Sequence, residues 1–264
     1  LNARITKKSY DKWKKIPKMS KILFKNFDIC FSQNYETKKY LRSLGAKKIK
    51  FIGNLKFSES KTEKNYNFNS NLKKIFKSKK IWCAASTHNT EERICATVHE
   101  KLKNKYKNLL TIIIPRHAQR ADEITNEIRD MGLKVQAHSS SSKTNNNTEI
   151  YLVDTFGETK SFFKICKTVF LGGSIINHGG QNPLEPVRFG CRILHGPNIQ
   201  NFAEVYNLLE KNNLSHKFYN SNQLAKLVDK SFGKNMNTSN KIRKIKKTGS
   251  NILNNTLIEI NHYL

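Results

Sequence analysis

The sequence predicts an α/β fold: a parallel β-sheet covered by helices on both faces, preceded by part of a second unit of the same kind. Three observations predict it. From Ile81 onward short apolar runs alternate with amphipathic stretches, residues 1–55 repeat that alternation in abbreviated form, and a polar segment, "SESKTEKNYNFNSN", separates the two. Alternation of strand-like and helix-like segments is the signature of βαβ units, whose strands pair in parallel.

In chain order, "SYDKWKKI" and the stretch after Pro17 read as helices, "FDICFSQ" as a strand, "NYETKKYLRSLG" as a helix and "IKFIGN" as a strand. The main unit follows with strands "IWCAAS", "LLTIIIP", "LKVQAH", "EIYLVD", "TVFLGG" and "CRILHG". Between and after them lie helical stretches "TEERICATVHEKLKNKY", "ADEITNEIRDMG", "TKSFFKIC", "PLEPVRFG", "NFAEVYNLLEKN" and "SNQLAKLVDKSFG". The last two of these helices open on Asn or Ser and close near Asn or Gly. The expected organisation is a partial N-terminal α/β unit over 1–57, a linker over 58–78, and a complete Rossmann-like domain over 79–264. The low-complexity run at 139–148 is expected to be a surface loop. The basic terminal stretch "SNKIRKIKKTGSNILNNTLIEINHYL" reads as an amphipathic helix ending the second domain, packed back on it with a solvated basic face.

Composition narrows the partners. The chain carries 48 Lys and Arg against 20 acids, a net charge of +28. Such a surface attracts nucleic acid, anionic headgroups or phosphorylated substrates, although a Lys- and Asn-rich composition accounts for part of the excess. No run approaches the roughly 18 apolar residues of a membrane span. Five cysteines without a CxxC pair sit inside apolar runs and read as reduced core thiols. The chain opens at Leu1 with no apolar leader, which reads as a processed N-terminus or a piece of a longer protein.

In a parallel sheet every loop leaving a strand C-terminus opens on one edge, where ligands bind in doubly wound folds. Four such loops carry polar groups that folding does not require: 85–92, 115–120, 154–158 and 172–186. In "STHNTEE", Ser86 and Thr87 stand at a strand-to-helix turn suited to a phosphate; N-capping, with Glu91 or Glu92 completing a box, explains them equally. In "PRHAQR", Arg116 and Arg120 are placed to converge on an anion. His88, His117 and His178 lack helical i,i+4 spacing and a framing carboxylate, which argues against metal. In "GGSIINHGGQNPLEP", the glycines let backbone approach a ligand, so Gly173 and Ser174 join the candidate phosphate contacts. There Asn182 reads as an N-cap, Pro183 as the first helical residue and Glu185 as the third. Glu185 is also a fit acceptor for two adjacent ribose hydroxyls, and is expected to be a buried acid.

Read together, "NARITKKSY", "FSQN", "IGNLKF", "STHNTEE", "PRHAQR", "DTFGE", "GGSIINHGGQNPLEP" and "GPNIQNF" resemble, in order, the blocks of the 3-deoxy-D-manno-octulosonic acid (Kdo) transferase family. That resemblance implies a GT-B glycosyltransferase with two Rossmann-like domains, inverting and independent of metal or other cofactor. It implies transfer of Kdo from CMP-Kdo to a lipid A precursor, at an anionic membrane surface on the cytoplasmic face of the bacterial inner membrane. Carried over by motif, Pro115, Arg116, Phe156, Gly157, Glu158, Asn182, Pro183, Leu184 and Glu185 would contact CMP, and Lys56 in "GNLKF" would stabilise charge during transfer. The family's catalytic carboxylate and any membrane anchor would lie outside these residues, leaving this stretch inactive alone. Two departures stand out: Thr90 where the family usually has Gly, and Gln181 where it often has His. A GT-B transferase using a UDP- or GDP-sugar is the alternative enzyme. A basic nucleic-acid-binding module is the alternative of another class, and it is disfavoured because the aromatics punctuate apolar strands rather than interleave with Lys and Arg.

Overall fold

The computed structural model describes residues 1–58, 67–143, 146–233 and 239–263. Its contacts divide the chain into two compact units, one of Leu1–Thr62 with Arg243–Leu264 and one of Glu63–Ile242.

In the first unit, helices α1 (Lys7–Lys14), α2 (Pro17–Lys25) and α3 (Tyr35–Leu44) accompany a parallel pair, β1 (Cys30–Ser32) and β2 (Ile49–Phe51). Thr6 and Asn34 cap α1 and α3 through their side chains, and Gly45, left-handed at φ 108°, ends α3. Phe24, Cys30, Leu41, Leu44 and Ala46 form a small core with Trp13 and Ile49 against it. Lys56 lies on a 3₁₀ turn, Leu55–Phe57, whose Lys56 amide is capped by Asn54.

The second unit is a seven-stranded parallel sheet with the order β5-β6-β4-β3-β7-β8-β9. The strands are β3 (Lys80–Thr87), β4 (Leu109–Pro115), β5 (Val135–Ala137), β6 (Ile150–Leu152), β7 (Thr168–Leu171), β8 (Arg192–His195) and β9 (Ser215–Lys217). The helices are α4 (Ser70–Ser78), α5 (Glu91–Lys103), α6 (Ala121–Asp130), α7 (Thr159–Ile165), α8 (Leu184–Arg188), α9 (Ala203–Lys211) and α10 (Ser221–Gly233). Strand residues alternate between faces. Trp82, Ala84, Ile113, Leu152 and Phe170 share a core with α5, α6 and α10. On the opposite face Tyr151 meets Phe76 of α4 and Phe162 of α7. All five cysteines are buried and unpaired. Because β4 leaves β3 toward one side and β7 toward the other, the switch in strand order falls at the C-terminal end of β3, where crevices open in such sheets.

Three expectations are corrected. The linker is shorter than 58–78, because Leu72, Ile75 and Phe76 of α4 are buried and Asn69 caps that helix. The terminal helix α11 (Ser239–Asn261) does not end the second domain. From Arg243 onward it belongs to the first unit, where Gly249 packs so closely on Phe57 that a Cβ there would sit 2.0 Å from its carbonyl oxygen. The run at 139–148 is anchored in part, Ser139 donating from its amide and hydroxyl to Asp154, while 144–145 lie outside the described residues. Strand β9, which closes the sheet, was not among the expected strands.

Candidate functional site

The C-terminal edge of the seven-stranded sheet gathers the four loops. At the end of β3 a bulge between Ala85 and Thr87 places Ser86 at φ 56° and interrupts the β3–β4 register. The Arg116 amide donates to the Thr87 carbonyl at 2.8 Å, tying the β4 loop to the β3 loop. Past the bulge, Thr90 opens α5 at φ 78° with no side-chain cap. A left-handed β-branched residue is strained, which gives the family's usual Gly at this position a physical reason.

Glu91 is wholly buried. Its Oε2 accepts from the amides of Gly173 (2.7 Å) and His88 (3.0 Å), and its Oε1 from those of Ser174 (3.2 Å) and Ile175 (3.0 Å). Expected only as a capping acid, it joins the loops after β3 and β7. Around it His88, His117 and His178 cluster, the His88 ring centroid lying 4.5 Å from that of His178 and 6.0 Å from that of His117. Burial, then His178, His117, Arg116 and Arg120, push the His88 pKa down to about 4. Among the described residues no three His, Cys, Asp or Glu side chains are placed to hold a metal ion.

The glycines of 172–180 have distinct tasks. A Cβ on Gly172 would lie 2.3 Å from the Ser86 carbonyl oxygen and 2.6 Å from Thr87 Cα. Gly173, Gly179 and Gly180 hold φ of 65°, 99° and 76°. The Gly180 amide returns to the Gly173 carbonyl at 2.8 Å, folding the loop on itself before Asn182.

Several predicted contacts are therefore corrected. The Gly173 and Ser174 amides do not face outward, being consumed by Glu91, and the Ser174 hydroxyl donates to the Leu171 carbonyl. Thr87 is wholly buried, whereas Ser86 keeps partial exposure. Arg120 does not converge with Arg116, because it pairs with Glu123 at 2.9 Å and with buried Glu92 at 3.1 Å. Asn182 accepts from the Leu184 amide at 3.2 Å, so α8 starts at Leu184 and Pro183 precedes it. Glu185 is not a buried acid: its side chain is 43% exposed, 3.9 Å from Lys160.

What remains accessible is Arg116, exposed and without a side-chain hydrogen bond or ion pair among the described residues, with Glu185 and the 155–158 turn. Pro115 and Leu184 are buried. Phe156 is 77% exposed, and a Cβ added to Gly157, at φ 86°, would meet nothing within 4 Å. Glu158 is held back by His138 (2.6 Å), itself bonded to Tyr151 (2.6 Å), and by the Thr155 hydroxyl (2.8 Å). Strand β3 alone separates β4 from β7, so the Arg116 loop and the loop leading to Glu185 start two strand spacings apart, about 10 Å. Lys56 is exposed on the first unit.

Comparison with known proteins gives one consistent family. The family model described as 3-deoxy-D-manno-octulosonic-acid transferase (kdotransferase) matches residues 1–59. The chain is 30% identical over 211 residues to the 3-deoxy-D-manno-octulosonic acid transferase of Haemophilus influenzae, covering 79% of this chain and 49% of that protein. It is 30% identical over 230 residues to that of Aquifex aeolicus, covering 86% and 61%. The chain thus spans about half the length of the curated relatives it matches. Among solved structures it resembles the C-terminal CMP-Kdo binding domain of WaaA from Acinetobacter baumannii, with TM-score 0.58 and 22% identity over 69% of this chain and 93% of that one. It also resembles a UDP-forming α,α-trehalose-phosphate synthase from Burkholderia vietnamiensis, with TM-score 0.51 and 10% identity over 98% of this chain and 67% of that one. These likenesses show the fold, that of GT-B glycosyltransferases. With the family model matching residues 1–59 and the relatives running on through the second unit, the chain belongs to the 3-deoxy-D-manno-octulosonic acid transferase family.

Proposed function

We propose that this chain carries the donor-binding part of an enzyme that transfers Kdo from CMP-Kdo to a lipid A precursor in lipopolysaccharide synthesis. The observation that carries the reading is the exposed Arg116 guanidinium at the end of β4, without an ion pair among the described residues, on the same sheet edge as the half-exposed Glu185. A cation for the phosphate and an acceptor for vicinal hydroxyls, with backbone between them, are the groups a nucleoside monophosphate requires. The exposed Phe156–Gly157 turn supplies a further wall.

In the proposed reaction the acceptor hydroxyl attacks the anomeric carbon of Kdo while the bond to the CMP phosphate oxygen breaks, inverting that centre without a metal. The charge on departing CMP and on the sugar carboxylate calls for fixed cations; Arg116 serves the phosphate and Lys56 the developing charge. In this reading the general base for the hydroxyl lies outside these residues, and the stretch alone binds donor without turnover. A net charge of +28 suits an acceptor bearing phosphates at an anionic membrane surface, on the cytoplasmic face. Among the described residues no helix is long and apolar enough to cross a membrane.

Calorimetry with CMP tests the reading directly. CMP is expected to bind in preference to UMP and GMP. Arg116→Ala should weaken it by about tenfold to a hundredfold, the worth of a charge-assisted hydrogen bond, and Glu185→Ala by about tenfold. Unaltered affinity in Glu185→Ala removes the ribose assignment, and preference for UMP points to a different nucleotide sugar. For Lys56 the test is turnover of an enzyme containing this chain: a change under about threefold, less than roughly 1 kcal/mol of barrier, ends its catalytic role.

A further inference from the structure

Three successive amides turned toward one point make a nest, an anion-binding concavity of the kind that holds phosphates. Gly173, Ser174 and Ile175 make one, joined by the His88 amide, and the anion in it is the protein's own Glu91 carboxylate. A carboxylate offers about four lone-pair positions, and here four amides take them. A carboxamide in the same place would set its NH₂ against two of those donors.

The consequences spread along the edge. The Ser174 hydroxyl, positioned beside the nest, accepts from the Gly196 amide at 2.9 Å, and the Ser174 carbonyl accepts from the Asn198 amide at 2.9 Å. The Asn198 side chain then donates to the Ile175 carbonyl at 2.9 Å. One buried carboxylate therefore fixes the loop after β3, the loop after β7 and the loop after β8. Through the Gly180–Gly173 hydrogen bond it also sets the approach to Asn182–Glu185.

We propose that Glu91 is the positioning residue of the nucleotide site: a resident anion that closes the glycine nest to outside anions and holds the 172–185 loop in the form that takes the ligand. It touches no ligand itself. The donor phosphate is thereby directed away from the nest and toward the exposed guanidinium at the rim. The inference rests on the nucleotide reading given above for the site's ligand, but the plugged nest is testable without any nucleotide.

The experiment uses the full chain with Glu91→Ala and Glu91→Gln, with sodium formate and sodium chloride at matched ionic strength as probes. Formate is the carboxylate that Glu91→Ala removes. In Glu91→Ala, formate but not chloride should raise the melting temperature, by mass action on an emptied anion site, while leaving the wild type unmoved. CMP affinity should fall about tenfold in Glu91→Ala, the scale of a small misplacement in a binding site, and formate should restore part of it. If Glu91→Ala does not fold, Glu91→Gln carries the test through amide exchange, with Gly173, Ser174 and Ile175 expected to lose protection relative to the β3 and β4 amides. A folded Glu91→Ala that ignores formate, or a Glu91→Gln that retains protection at those three amides, overturns the proposal. Wild-type affinity for CMP in a folded Glu91→Ala overturns its positioning role. Failure of the wild-type chain to bind CMP removes the nucleotide reading instead, and formate response and exchange still decide the plugged nest.

Discussion

Two glycine-bearing loops share the C-terminal sheet edge and are built in opposite ways. The 172–180 loop is saturated: its amides end on Glu91, its serine bridges to the next loop, and its first glycine is wedged against the β3 backbone. The 154–158 turn is held at its ends but open at its tip, with Phe156 in solvent and nothing within 4 Å of a Cβ added to Gly157. Glycine permits close approach in the first and a left-handed turn in the second. A GG pair in a sequence therefore marks backbone that must come near something, and that something can be the protein itself.

Substitution at each glycine tests the contrast most severely. Gly172→Ala sets a Cβ 2.3 Å from the Ser86 carbonyl oxygen, against backbone that has no rotamer to yield. A loss on the order of 3 kcal/mol is expected, read in urea denaturation as a lower midpoint with unchanged slope. Stability within about 0.5 kcal/mol of wild type would mean that the two loops slide apart freely and are not one unit.

The saturated loop should also show its construction in its pH dependence. The folded state holds the His88 pKa at about 4, below its ordinary 6.5. Between those values the unfolded chain binds the extra proton, so stability present above pH 6.5 is lost as pH falls toward 4. Because the residue is partly exposed, the effect is discounted to about 1–2 kcal/mol. His88→Gln should flatten that limb of the stability curve, and an unchanged slope would assign it to other groups. Gly157→Ala, in open space, meets no clash and should cost only the left-handed penalty of about 1 kcal/mol. A loss as large as that of Gly172→Ala would erase the distinction between the loops.

How much of this was legible in the sequence follows from the range of each interaction. Strands such as "LLTIIIP" and helices such as "ADEITNEIRDMG" announce themselves because their patterns are local. Helix α4 carried a signal as well, Asn69 followed by Leu72, Ile75 and Phe76, but three apolar residues in a polar stretch resemble a linker until the sheet face that buries them is known. Strand β9 is Ser-His-Lys, without alternation, and is a strand because β8 lies beside it. For the site, the βαβ alternation placed the four loops on one edge but could not show their inner partners. Glu91 looks like a capping acid, since the amides it holds beyond its own turn are 82 to 84 residues away. Arg120 looked as available as Arg116; Glu123 stands only three residues along, but the fold alone brings buried Glu92 to it.

The smallest effect bears on a place where the saturated loop's support is strained rather than satisfied. Thr90 opens α5 one residue before Glu91, at φ 78°, with no hydrogen bond from its hydroxyl to the helix end. Glycine there would relieve a left-handed β-branched residue, worth about 1–2 kcal/mol, against a greater loss of chain entropy on folding, about 0.5–1 kcal/mol. The balance favours Thr90→Gly by roughly 0.5–1 kcal/mol, a rise in melting temperature of about 1–4 °C for a chain of this size. Relief at this hinge should leave the Gly173–Ile175 amides as protected as before, because the carboxylate that holds them does not move. If Thr90→Gly is instead destabilising, the strain at φ 78° is outweighed by chain entropy or by an uncounted contact of the threonine, and the family's usual glycine needs another cause.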